Sequence, residues 1–181
     1  MSAPCTLHPD RLDVDACLRL ATHLRATGAR LVLVGPPLLE PLDLTRLEAA
    51  GAAVLGARPA ALVPGYLQHA AALVVPHVVD DFTDSLDPIK LYEYLAVGRP
   101  IVSTPVAGFR DQPADRVTTT SPQNLADTVV RVLAESAGAR VGAPVATTPG
   151  PADVPRWSDR VQEMERVLRR VRAARPAATR R

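Results

Sequence analysis

Lys90 and Glu93 stand in a stretch that is otherwise apolar on nearly every side: Ile89, Leu91, Tyr92, Leu95, Ala96 and Val97. Burying a charge is costly unless it is paired or bound, so these two residues need a reason. Asp87 can cap a helix and Pro88 suits its first turn. Lys90 then lies in that first turn, where the helix dipole and free N–H groups favour an anion. A lysine there adds a point charge for a phosphate. Glu93 lies one turn further on, and a carboxylate can accept two hydrogen bonds from a vicinal diol such as that of a ribose. The same spacing also lets Lys90 and Glu93 simply pair with each other. Lys90 is the only lysine of the chain; every other cationic side chain is arginine.

The elements around this helix must hold it at a ligand. Short apolar runs at 3–7, 31–35, 53–56, 73–76, 100–103 and 116–119 read as strands. Between them, residues 14–24 have helical spacing with Gly28 as a stop, and a weak helix covers 44–50. Residues 59–71 read as a short helix interrupted at Pro64-Gly65, and residues 77–84 as a polar loop. The central helix is expected to be buried all round and to end at Gly98. Ser121 is expected to cap a last helix with Pro122 in its first turn. Short apolar strands alternating with helices predict an α/β, Rossmann-like three-layer domain, a parallel sheet with helices on both faces, plus a C-terminal helix. Ligands of such sheets sit beyond the carboxyl ends of the strands. Those ends are Gly35-Pro36, Gly56-Ala57, Pro76-His77 and Ser103-Thr104.

The expected organisation is a domain at 1–136, a Gly/Pro/Ala-rich linker at 137–154, an amphipathic helix at 155–173 and a basic disordered tail at 174–181. On the helix, Val161, Met164, Val167, Leu168 and Val171 share one side and arginines cover the other. That arginine face is either solvated or in contact with anionic lipid.

The stretch DSLDPIKLYEYLAVGRPIVS, Asp84 to Ser103, followed by Thr104-Pro105-Val106-Ala107-Gly108, resembles the donor-site signature of the group 1 glycosyltransferases of the family four type, which have the GT-B fold. Their pattern is an acid, seven residues, then Glu, followed by Gly-(Lys/Arg)-Pro-Val-Val. Glu93 matches the second acid and Gly98-Arg99-Pro100-Ile101-Val102 the tail; Ser85 stands at the first acid, a departure. A subset of the family has Ser or Thr there with Pro-x-Lys-x-x-Glu-Tyr-Leu-Ala downstream, as Pro88 to Ala96 has. The likeness extends more loosely over Thr6–Glu135 and Trp157–Val171. It implies the donor-binding half of a GT-B enzyme, transferring a sugar from a nucleotide-diphosphate sugar to an acceptor hydroxyl in polysaccharide biosynthesis.

In that reading Lys90 neutralises the leaving diphosphate, Glu93 holds the ribose diol, and Ser85 sits near the phosphate or the sugar. The family places cations between the first strand and helix at the diphosphate. Arg11 stands there, without the usual Lys-Gly, and is otherwise a surface arginine. The loop Gly56-Ala57-Arg58 is where the family holds the base, largely through backbone, with Arg58 itself otherwise solvated. Gly35 either lets backbone approach a ligand or only ends a strand. His77 either touches the transferred sugar or lies on the surface. The resemblance implies no metal and no cofactor beyond the donor substrate, and it names no catalytic residue. Asp80, Asp81, Asp84 and Asp87 invite a divalent cation, with capping and solvation as the alternative.

GT-B enzymes have two such domains and place the acceptor site in the other one. A separate acceptor-domain protein is therefore an expected partner, and the chain alone is expected to be inactive. A non-catalytic nucleotide-binding or interaction module is the second reading, and half of a sugar-nucleotide epimerase a third. No Gly-x-Gly-x-x-Gly, Walker A or Gly-x-Ser-x-Gly pattern occurs. A net charge of +2 with mixed signs does not suggest a nucleic-acid partner. No apolar run approaches the roughly 18 residues of a membrane span. The first residues lack a charged-then-apolar signal pattern, and Cys5 and Cys17 lack metal-ligand spacing. The cytoplasm, or peripheral attachment at the inner face of a membrane, is the expected location.

Overall fold

The computed structural model describes residues 2–4, 7–85, 88–137 and 156–174. The chain divides into two units, Met1–Pro151 and Ala152–Arg181. The expected linker lies outside the described residues except for Ala137, and the expected tail except for Ala174.

The first unit is built on six parallel strands: β1 (Ser2–Pro4), β2 (Val32–Val34), β3 (Ala53–Val54), β4 (Leu73–Val75), β5 (Ile101–Ser103) and β6 (Val117–Thr119). Their spatial order is β3-β2-β1-β4-β5-β6. Ser2 pairs with Val32 on one side and Leu73 on the other, so the order reverses between β1 and β4. This is the doubly wound α/β arrangement, as the alternating apolar runs predict.

One face carries α1 (Val14–Arg25), α2 (Pro41–Ala49) and α6 (Leu125–Ala137). Leu20, Leu24, Leu47, Leu125 and Val129 pack there with Leu33, Val74 and Val102 of the sheet, all buried. α1 starts where Asp13 accepts the Ala16 N–H at 2.8 Å, satisfying one of the free donors of a helix start. α3 (Val63–His69) and α5 (Ile89–Val97) pack against each other, and α3 also meets β1.

Several local expectations change. The first strand is Ser2–Pro4 and not 3–7; Leu7 instead bridges to Pro37. Pro64 does not interrupt a helix. A 3₁₀ turn at Ala60–Leu62 runs into α3, whose first turn holds Pro64, where a missing N–H costs nothing. The polar loop at 77–84 contains a helical turn, α4 (Asp81–Asp84), closed by a capping box between Asp80 and Thr83. Ser121 and Pro122 precede the last helix of this unit: Ser121 accepts the Asn124 N–H at 3.3 Å in a turn, and α6 starts at Leu125. α1 ends at Arg25, before Gly28.

α5 differs from expectation in two ways. Pro88 is its N-cap, one position earlier than its expected place inside the first turn, and Asp87 lies outside the described residues. The helix is buried on one side only, through Leu91, Tyr94 and Leu95, while Ile89 and Ala96 are exposed. Gly98 ends it with φ of 69°, left-handed as a glycine stop allows.

The second unit is α7 (Trp157–Ala174). Trp157, Val161, Met164, Val167, Leu168 and Val171 are all exposed on it.

Candidate functional site

The loops after β1 and β4 flank the point where strand order reverses. They are tied together: the Asp13 N–H donates to the Pro76 carbonyl at 2.9 Å and the Val78 N–H to the Arg11 carbonyl at 2.8 Å. Leu12 and His77 form an antiparallel bridge between these bonds. The zipper sets Arg11 beside His77, although 66 positions separate them in the chain.

His77 is only 9% exposed. Burial first, then the charges of Lys90 and Arg11, hold its pKa down to about 4, so the imidazole is neutral at pH 7. The backbone bridge sets Arg11 of the β1 loop beside His77 of the β4 end, and Lys90 in the first turn of α5 is near enough for its charge to act on the same ring. Two cations whose charges reach a neutral ring, one of them in the first turn of a helix, suit an anion.

The backbone of His77 is held by β5. Thr104, fully buried, accepts the His77 N–H at 3.1 Å and donates to the His77 carbonyl at 2.8 Å, with the Val75 carbonyl at 3.2 Å. The Arg11 guanidinium lies 5.4 Å from the centroid of the half-exposed Phe82 ring of α4, within cation–π range. A cavity of about 340 Å³ opens beside it, lined by Pro9, Asp10, Val78, Asp80 and Phe82. Sequence reasoning missed Thr104 and Phe82; an aromatic in a chain with only two phenylalanines was the available signal.

The other predicted residues are placed less decisively. Ser85 ends α4, and its hydroxyl donates to the Phe82 carbonyl at 2.7 Å. Glu93 is exposed on α5, one turn beyond Lys90. Gly35 and Gly56 adjoin at the ends of β2 and β3, where the Gly35 N–H is taken by the Gly56 carbonyl at 2.9 Å. Arg58 is exposed beyond them.

The acidic run is used locally. Asp80 accepts the Thr83 N–H at 2.8 Å, which holds its carboxyl below the ordinary range. Asp84, at the end of α4, pairs with Arg110. Among the described residues no three His, Cys, Asp or Glu side chains are grouped to hold a metal.

A family model described as glycosyl transferases group 1 matches residues 5–135. No curated protein matches the chain. Among solved structures, the crystal structure of AviGT4, a glycosyltransferase involved in avilamycin A biosynthesis, superposes with a TM-score of 0.62 at 19% identity. The match covers 95% of this chain and 49% of that one, so the chain spans about half the length of that structure. At that identity the likeness speaks for the fold, a Rossmann-like GT-B half.

Proposed function

The chain belongs to the group 1 glycosyltransferases, and from that premise we propose that it is the donor-binding half of a transferase that moves a sugar from a nucleotide-diphosphate donor to an acceptor hydroxyl. The observation that carries the reading is the bridge that sets Arg11 beside His77 at the reversal of strand order, with the charge of Lys90, in the first turn of α5, acting on the same ring. In the proposed mechanism the donor diphosphate lies over that start. Lys90 and Arg11 neutralise the charge that develops on the leaving diphosphate, which lowers the barrier electrostatically. His77, neutral, offers a hydrogen bond to the sugar without competing for the anion. Glu93 accepts the ribose hydroxyls one turn along α5. Gly35 and the Gly56-Ala57-Arg58 loop, on the same rim, face the base. A separate protein or segment supplies the acceptor site, and the setting is polysaccharide assembly.

One observation favours a second reading, a nucleotide-binding module without chemistry. Ser85 stands where the family has its first acid, and its hydroxyl is turned back onto the Phe82 carbonyl.

Calorimetric titration with UDP, GDP and TDP tests both. The donor reading expects one nucleotide to bind the wild type, and Lys90→Ala and Glu93→Ala each to lose tenfold or more, roughly the worth of one charge-assisted hydrogen bond. Sugar transfer on adding an acceptor-domain partner separates enzyme from module. Binding unaffected by both substitutions would sink the site.

A further inference from the structure

The turn after β5, residues 105–112, is packed onto the first two turns of α5. Gly108 stands so close to Pro88, the α5 N-cap, that a Cβ on it would lie 3.0 Å from Pro88 Cδ and 3.6 Å from Leu91 Cδ2. Phe109, fully buried, meets the Tyr94 ring of α5 edge to face. Arg110 follows directly, and its backbone N–H donates to the Val106 carbonyl at 3.0 Å. The backbone that carries Arg110 is therefore fixed against the start of α5, while its side chain stays 40% exposed.

Two carboxylates hold the Arg110 guanidinium. Its Nη1 donates to Asp84, the last residue of α4, and its Nε lies 3.9 Å from Asp111. The two ties differ in kind. Asp111 belongs to the same turn, and its other oxygen accepts the Gly108 N–H at 3.1 Å, so it steadies the guanidinium from within. Asp84 comes from another element, four positions before Pro88, and is itself 42% exposed. An ion pair exposed on both sides is a weak tie, screened by water and salt. A phosphate offers the same planar fork more charge and more acceptor oxygens. Exchanging one for the other needs only a side-chain rotation, because the turn beneath is already held.

We propose that Arg110 is a third cation for the donor diphosphate, beside Lys90 and Arg11, and that Asp84 occupies it until the diphosphate takes it over. The inference rests on the donor reading of the α5 start. In the free chain the Asp84 carboxylate stands in for the phosphate and competes with it, so this pair sets how tightly the diphosphate is held. Once Arg110 turns to the diphosphate, the Asp84 carboxylate is left to solvent, which its exposure permits.

Calorimetric titration of the full chain with UDP, GDP and TDP tests both parts. Arg110→Gln weakens the diphosphate that binds by about tenfold, and Arg110→Lys recovers only part of the loss, because an ammonium lacks the fork. Asp84→Asn tightens binding about threefold, the worth of an exposed ion pair. A lost carboxylate also favours an anion through its field alone, so the double variant decides: with Arg110→Gln in place, Asp84→Asn brings no gain. Thermal midpoints close to wild type in these surface variants show that lost affinity is not a lost fold. Arg110→Gln at wild-type affinity, or an Asp84→Asn gain that persists without Arg110, overturns the inference; if Lys90→Ala still loses affinity, the donor site stands without it. A wild type that binds none of the three nucleotides overturns both.

Discussion

The Thr104 hydroxyl accepts the His77 N–H at 3.1 Å and donates to the His77 carbonyl at 2.8 Å. One buried side chain on the β5 rim thus fixes the backbone that carries the candidate site's imidazole. Thr104→Val keeps the shape and leaves both His77 backbone groups without this partner. It should lower stability by about 1–3 kcal/mol, while Thr104→Ser stays close to wild type. Urea denaturation of the two variants measures the difference; equal stabilities would show that the hydroxyl is dispensable.

His77 links stability to pH. Its folded pKa of about 4 lies below the ordinary 6.5, so the unfolded chain binds the extra proton more readily. The neutral imidazole's contribution is whole above pH 6.5 and is lost as pH falls toward 4. The shift corresponds to about 3 kcal/mol. His77→Gln should flatten stability over that window. Lys90→Ala should raise the imidazole pKa, readable by NMR titration, and an unchanged value would remove Lys90 from its surroundings.

Gly108 sits against the start of α5 with φ of 78°, and a Cβ there would lie 3.0 Å from Pro88 Cδ. Gly108→Ala combines a left-handed backbone with contact against a rigid ring. The expected loss is about 1–3 kcal/mol. Because Pro88 is the α5 N-cap, nucleotide affinity should fall as well. Thermal denaturation together with titration checks both effects, and an alanine variant as stable as wild type would contradict the packing.

The base of α5 rests on an aromatic pair. Tyr94 and Phe109 are fully buried, edge to face with centroids 6.2 Å apart. Phe109→Ala should cost about 3–5 kcal/mol, visible as an early chemical-denaturation midpoint, whereas Phe109→Leu should retain most of the stability. A loss below about 1 kcal/mol for alanine would mean that the site collapses to fill the gap.

Much of the architecture was legible because it is local. Leu31 to Val34 and Leu73 to Val75 are short apolar runs closed by Gly35 and Pro76, and a strand buried on both faces needs little else. Gly98 marked the end of α5 because only a left-handed residue stops the helix there. The Asp80–Thr83 capping box was also written locally, yet four residues are too few to show helical periodicity, and the segment read as loop. Lys90 could be placed at a helix start from Asp87 and Pro88, to within one position.

What the sequence by itself determined is the six strands, most of the helices and the helix that carries Lys90 and Glu93. The tertiary structure decided which distant residues meet. Arg11 and His77 become neighbours only because strand order reverses between β1 and β4 and two loop backbones then bond to each other. Thr104 becomes a clamp only because β5 runs beside β4. Hydrogen bonding across a sheet joins residues without regard to their separation along the chain, so no spacing rule announces the contact. The neutral state of His77 belongs to the same class: it follows from burial and from two charges that only the fold brings to it.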